Sequence, residues 1–525
     1  MKQILLVFAL FCSLVTACNY PTGVRRNPGG LSVSDLRATL QAQNSSGSPA
    51  GSPAGSPSGS TTPLPVVVDA TQPPSLTTAG PPPTPTPGEA PPTYAYHVQV
   101  GDTLPALAAR FGVSPEQVGA DVPLSGDGFL PGGLLLKIPN QLSKTLPAAL
   151  LLPDSELVNS PSAVGFDIEA FIDKAGGYLS TYHESVDGQD VSGASIVKRV
   201  AVETSTNPRL LLALLEYRSG WVLGQPVSQK SLTFPMGFGV PGHSGLYEEL
   251  KITATHLGIG YYGWRDGSWL ELTFQDSRHG RLDPQINAGT AGLENLFSKF
   301  YNQAEWEEKL FGQDSFLSLY RSMFGDYWER AASVGPLFPQ GLSQPVMQLP
   351  FAPGESWSLT GGPHRSWNTG SPLGALDFSP ITGGAVCAIS SAWTTAVAPG
   401  VITRAENNVV ALDLDGDGNE QTGWVVIYLH VAKEGMIAAG TRVAQDAPLG
   451  HPSCEGGAAT GKHVHLARKY NGEWLATDGP LPMELGGWQV IAGKQIYQGE
   501  LIKDGQVVEA YPGGGRRTLI QRPKP

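Results

Sequence analysis

The sequence predicts a multidomain chain: a small βααβ module, a mainly α middle domain and an all-β C-terminal domain of antiparallel sheets. Three observations carry this expectation. The chain has 525 residues, more than one ordinary core organises. Its apolar periodicity changes from helical to alternating toward the C-terminus. Its 65 Gly and 45 Pro are unevenly placed, as in folded pieces separated by linkers. The boundaries read as a signal segment at 1–17, a tether at 18–93, the βααβ module at 94–140, the helical domain at 141–340, the β domain at 341–500 and a tail at 501–525. A net charge of −12 without a long basic run argues against a nucleic-acid partner.

Lys2 followed by the apolar stretch Ile4 to Leu14 forms an export signal, too short to span a bilayer comfortably. It ends in Leu14-Val15-Thr16-Ala17-Cys18, which resembles the lipobox of bacterial lipoproteins. The resemblance implies acylation of Cys18 and a lipid anchor in the cell envelope; a plain secretory signal is the alternative. Each buried methylene of such chains contributes about 0.8 kcal/mol to attachment. With Cys12 removed and Cys18 modified, only Cys387 and Cys454 remain, and two thiols in an exported chain predict one disulfide. Residues 44–93, with GSPAGSPAGSPSGS and PPPTPTP, have no apolar face to bury and read as a disordered tether.

From Tyr96 to Pro139 a strand pattern opens and closes the segment. Between them Thr103 is placed to cap a helix through Phe111, with Leu104, Leu107, Ala108 and Phe111 on one face, and Ser114 to cap a second helix. HVQVGDTL, ALAARFGVSPEQV and LPGGLLLKIP follow one another as in a LysM module, which this segment resembles. The resemblance implies binding of N-acetylglucosamine-containing glycans such as peptidoglycan, through loops near Gly101, Asp102, Thr103 and Leu104 and near Leu130, Pro131 and Gly132.

Residues 160–337 carry helical periodicity, notably Pro208 to Leu215, Gly289 to Phe300 and Trp306 to Trp328. NPRLLLALLEYRSGW resembles the helix of lytic transglycosylases, a lysozyme-like family that uses one catalytic Glu. Here Arg218 stands at that place, and a guanidinium does not protonate a glycosidic oxygen. Glu216 lies on another helical face, and Glu203 reads as a solvated or ion-paired residue. The domain is thus expected to be a degenerate, non-catalytic glycan-binding or spacer unit, or a pro-region covering the active site.

The C-terminal third has short Val-rich strands between Gly, Pro and Asp turns. His463 and His465 lie two apart in GKHVHLARKY, so on a strand both rings face one way. His430 ends VVIYLH, and His364 and Asp377 bracket PHRSWNTGSPLGALD. Histidines with a carboxylate are what a hydrolytic zinc site requires, since three protein ligands leave a place for water. The stretch from Met347 to Trp488, with SCEGGAATGKHVHLARKYNGEW, resembles the lysostaphin-type zinc endopeptidases, most closely the staphylolysin and beta-lytic branch. The resemblance implies one zinc held by His364, Asp377 and His465, with His430 and His463 as catalytic residues of interchangeable role, and peptidoglycan peptides as substrate. A non-catalytic lipoprotein scaffold that recruits other hydrolases is the alternative. Asp413-Leu414-Asp415-Gly416-Asp417-Gly418 resembles the start of a calcium loop, but Trp424 replaces the acidic twelfth residue, so a tight turn is favoured over calcium.

Overall fold

The computed structural model describes residues 92–524, Val227 excepted. The signal segment, Cys18 and the tether through residue 91 lie outside the described residues. The N-terminal module comprises β1 (Thr93–His97), α1 (Leu104–Phe111), β2 (Gly119–Ala120) and β3 (Leu135–Pro139), with β3 between β1 and β2 and both pairings antiparallel. Thr103 accepts from the Ala106 amide, Pro105 occupies the first turn, and Gly112 ends α1 at φ 67°. Tyr96, Leu107, Phe111, Leu136 and Ile138 form a separate small core. The expected second helix is a single 3-10 turn, Pro115–Gln117. Val118 already turns inward and Gly119 already pairs with β3, which leaves only three residues after the Ser114 cap.

The middle region is helical, as its periodicity predicts: α2 (Gly193–Thr204), α3 (Pro208–Ser219), α4 (Leu246–Asp266), α5 (Ala288–Ser298), α6 (Gln303–Phe311), α7 (Phe316–Phe324) and α8 (Tyr327–Val334). Leu211, Leu214, Trp221, Leu257, Tyr261 and Trp306 are fully buried, so α3 is apolar nearly all round. Helices α4 and α5 meet at Gly260 and Gly292; a Cβ on Gly260 would lie 2.5 Å from the Ala291 carbonyl oxygen. The periodic run from Trp306 to Trp328 is broken into three helices, the last break at Gly325 with φ 76°.

The C-terminal region is antiparallel β. Its main sheet contains β4 (Ser356–Arg365), β5 (Leu373–Pro380), β6 (Gly400–Glu406), β7 (Val409–Asp413), β8 (Trp424–Leu429), β9 (Arg442–Val443), β10 (Val464–Tyr470), β11 (Glu473–Trp474) and β16 (Leu519–Gln521). The spatial order is β9-β6-β7-β8-β10-β5-β4-β16, with β11 hairpinned to β10. Strand β8 is central and its residues Val425–Tyr428 are buried on both faces, hence the unbroken apolar run WVVIY. A second sheet, order β12-β13-β14-β15, contains β12 (Glu484–Leu485), β13 (Trp488–Ala492), β14 (Gly499–Lys503) and β15 (Gln506–Glu509). Residues 501–524 of the segment expected as a tail are therefore structured. They complete the second sheet and return β16 to the edge strand β4, with Ile520 opposite Trp357 and fully buried.

The three regions meet at the C-terminal end of α4. Arg265 donates to the Val100 carbonyl of the N-terminal module (2.6 Å) and to both Glu473 oxygens of the β10–β11 hairpin (3.0 and 3.1 Å), and it lies 2.9 Å from Asp154. Phe338 stacks between Phe129 and Tyr470.

Candidate metal centre

The site lies where β4, β5 and β10 run side by side. Register places His465 of β10 directly opposite Asp377 of β5, and Gly361 of β4 opposite Asp377 on its other side. Gly361 has no room for a side chain, since a Cβ would lie 2.4 Å from Asp377 Oδ2. Bulges between Leu359 and Arg365 twist β4 and bring His364 onto the same point. His364 Nε2, Asp377 Oδ1 and His465 Nδ1 are then 3.0, 3.3 and 3.4 Å apart pairwise. Donors about 2.0–2.2 Å from a tetrahedral ion are separated by about 3.3–3.5 Å.

The ring protons strengthen the fit. His364 Nδ1 donates to the Gly362 carbonyl at 2.8 Å and His465 Nε2 to the Ser366 carbonyl at 3.0 Å. Each ring in that tautomer turns a lone pair toward the other. Asp377 Oδ1 is buried without a hydrogen-bond donor. Two lone pairs and an unpaired carboxylate oxygen converge on one point, an arrangement that a cation satisfies and a proton network does not.

His463 precedes β10 by one residue, bridged to Ser453, and its Nε2 is 3.6 Å from Asp377 Oδ1. His430 follows β8 in the left-handed region at φ 66°, which swings its ring back over the site, 4.5 Å between centroids from His463. Both rings are oriented from behind: His463 Nδ1 meets the Gly461 carbonyl at 2.7 Å, and His430 Nδ1 the Glu455 carbonyl at 2.8 Å. The disulfide Cys387–Cys454 is present. Its Cys454 lies between Ser453, which donates to the His430 carbonyl, and Glu455.

Burial disfavours charge on the rings of His364, His430 and His465. It pushes His430 down to about 4, helped by His463, and lowers His465 despite the Asp377 carboxylate. In His364 burial is outweighed by Asp377 and the net shift is upward. The Asp377 carboxyl, against its own burial, is held well below the ordinary range by His364 and His465.

Sequence reasoning missed the supporting groups. The carbonyls of Gly362, Ser366, Glu455 and Gly461 carry no side-chain signal, and Tyr497, whose ring stacks on His364 at 4.3 Å, sits in a hairpin between β13 and β14 read as part of a domain end. Tyr428, two residues before His430, is fully buried, and its hydroxyl oxygen accepts from the Val397 amide at 2.8 Å.

Elsewhere the anticipated residues have structural partners. Arg218 donates to the Met236 carbonyl and the Tyr301 hydroxyl and lies over Phe300. Glu216 accepts from the Val222 and Leu223 amides, and Glu203 from Arg199 and Tyr247. Asp102 is buried, bound by Tyr96, Arg110 and the Gln99 amide. Gly101 abuts the Arg265 guanidinium, Leu104 and Leu130 are buried, Thr103 caps α1, and Pro131 and Gly132 are exposed. Asp413 accepts from the amides of Asp415, Gly416 and Gly418, and its carboxylate lies within 4.8 Å of those of Asp415 and Asp417.

An antiparallel sheet that gathers two imidazoles, one carboxylate and two further orientable histidines defines a metallohydrolase. Residues 150–337 match the family described as LasA, N-terminal domain. Over 378 residues the chain is 25% identical to Protease LasA of Pseudomonas aeruginosa, covering 67% of this chain and 80% of that protein. Over 167 residues it is 28% identical to the beta-lytic metalloendopeptidase of Achromobacter lyticus, covering 30% and 40%. Among solved structures, the M23 metalloprotease pseudoalterin is 24% identical over 32% of this chain and 97% of its own, with a TM-score of 0.27. The chain is a zinc metalloendopeptidase.

Proposed function

We propose that this protein is an exported zinc endopeptidase of the cell wall, hydrolysing peptide bonds in peptidoglycan stem peptides or cross-bridges. The observation that carries the reading is the convergence of His364 Nε2, His465 Nδ1 and the donorless Asp377 Oδ1 on one point. Those three are the proposed ligands. When bound, zinc supplies Lewis acidity to the scissile carbonyl and acidity to water.

The chain's own residues do the rest. Gly362 and Ser366 fix the tautomers of the ligand rings. His430 and His463 keep Nδ1 protonated against backbone carbonyls, so each presents Nε2 to the substrate side. One accepts the proton of the attacking water and returns it to the departing amine, and the other, protonated, stabilises charge developing on the carbonyl oxygen.

The N-terminal module, by its resemblance to LysM, is proposed to hold the enzyme on glycan, and Cys18 to anchor it through lipid. Glycan contact then falls to the exposed Pro131–Gly132 side, because the Gly101 side is packed against α4. A metal-free scaffold would not need the ring tautomers arranged as they are.

The test is digestion of purified peptidoglycan with and without chelator, with new termini identified by mass spectrometry. New amino termini that disappear on chelation, return with zinc and are absent with His465→Ala support the proposal. No release by the zinc-loaded protein overturns it, and new reducing ends would transfer activity to the middle domain.

A further inference from the structure

A cavity of about 630 Å³ lies beside the metal centre, lined by Ile491, Ile496, Tyr497, Tyr511, Glu500 and Glu509 among others. Tyr497 links it to the site, for its side chain both lines the cavity and stacks on His364. Register puts Ile491 opposite Glu500 and Glu500 opposite Glu509, so these three side chains form one row across the sheet. The opposite face, with Val490, Leu501 and Val508, is buried, which turns the whole row toward the cavity. Like charges directly opposite on neighbouring strands are destabilising. Among the described residues Glu500 has no cationic partner, while Glu509 is approached only by the largely exposed Arg517 at 3.5 Å. No Lys or Arg lines the cavity. Its apolar walls include Ile491, Ile496 and Tyr511, all exposed.

We infer that this cavity is a substrate subsite that takes a free primary ammonium on an aliphatic stem, held between Glu500 and Glu509 while the stem lies along Ile491, Ile496 and Tyr511. The inference rests on the proposed endopeptidase activity, since it names the substrate that activity selects. An ammonium offers three donors to two carboxylates, and its methylenes cover apolar surface. Tyr faces add attraction for the cation. Two sources supply this chemistry in a wall peptide: the side chain of a diamino acid and a free peptide N-terminus.

The test uses the full chain and synthetic peptides of one backbone in four forms: free side-chain amine, acetylated side chain, free N-terminus and acetylated N-terminus. Binding is measured by calorimetry with His465→Ala, so the subsite is examined even where nothing is cut. Cleavage is measured separately as kcat/KM. The free amine, in one of its two positions, is expected to bind about three- to ten-fold tighter than its acetylated form, to lose that margin at high salt and to lose it in Glu500→Gln/Glu509→Gln. Whichever amine shows the margin identifies the source. Equal binding of all four peptides, or a margin that survives Glu500→Gln/Glu509→Gln, overturns the inference. Amine-dependent binding without cleavage by the zinc-loaded protein leaves the subsite standing and overturns the endopeptidase reading.

Discussion

Asp377 determines what the site can hold. Its carboxylate is buried yet ionised, and it lies within reach of three imidazoles. Gly361 leaves it the space to do so, so Gly361→Ala is expected to displace Oδ2 and weaken zinc affinity about 10- to 100-fold, read by competition with a chromogenic chelator. His430 sets a pH response. Its value in the folded chain is about 4, below the ordinary value of about 6.5, so the folded state binds fewer protons between these limits. Stability from this group is complete above about pH 6.5 and is lost as pH falls toward 4. Melting of the metal-free protein should decline across that window, and His430→Gln should flatten the decline. The candidate ligands were legible because His and Asp are chemically distinctive. Their carbonyl supports were not, since any residue has a carbonyl and only β-bulges and turns aim it.

At the level of elements, the segment from Ser453 to His465 carries a proposed catalytic histidine, a proposed ligand and the carbonyl that orients His430. The disulfide holds its beginning. The two cysteines are 67 residues apart, and closing a loop of that length stabilises by about 4 kcal/mol on the chain-entropy model. Cys387→Ser/Cys454→Ser should lower the melting transition by about that amount and also reduce kcat, because Glu455 is released from His430. Calorimetry and single-turnover cleavage separate the two effects. The second sheet was not legible: β13 to β15 are short, their pattern is weak, and they follow the last motif. Its function emerges only from the contact of Tyr497 with His364. The 3-10 turn at Pro115–Gln117 was read as a helix for a related reason, since a cap marks where a helix can start and not how soon a strand must follow.

At the level of the whole molecule, α4 joins the modules to the site. Thr255 accepts from Asn368 in the β4–β5 loop at 3.0 Å, and a Cβ on Gly258 would lie 2.5 Å from the Gly370 carbonyl oxygen. That loop also supplies the Ser366 carbonyl to His465. The middle domain is therefore a support of the metal centre in this conformation. Arg265→Ala removes the cation buried against Glu473 and Asp154, with an expected cost of about 3–5 kcal/mol. Loss of a single cooperative transition in calorimetry, together with faster proteolysis between modules, would register it. An unchanged thermogram would show that the modules are held elsewhere.

The sequence by itself determined the division into βααβ-like, helical and all-β regions, the likeness to zinc endopeptidases, the five polar residues proposed for the centre and the pairing of the last two cysteines. Apolar periodicity and reactive side chains are local properties, and they survive in a string of letters. Tertiary structure alone decided which backbone carbonyls orient the rings, that Leu519–Gln521 close the edge of the main sheet, that the Gly101 loop faces α4 and that Glu500 and Glu509 stand side by side in the cavity that Tyr497 shares with His364. Each of these depends on strand register or on packing between distant segments, and spacing along the chain contains neither.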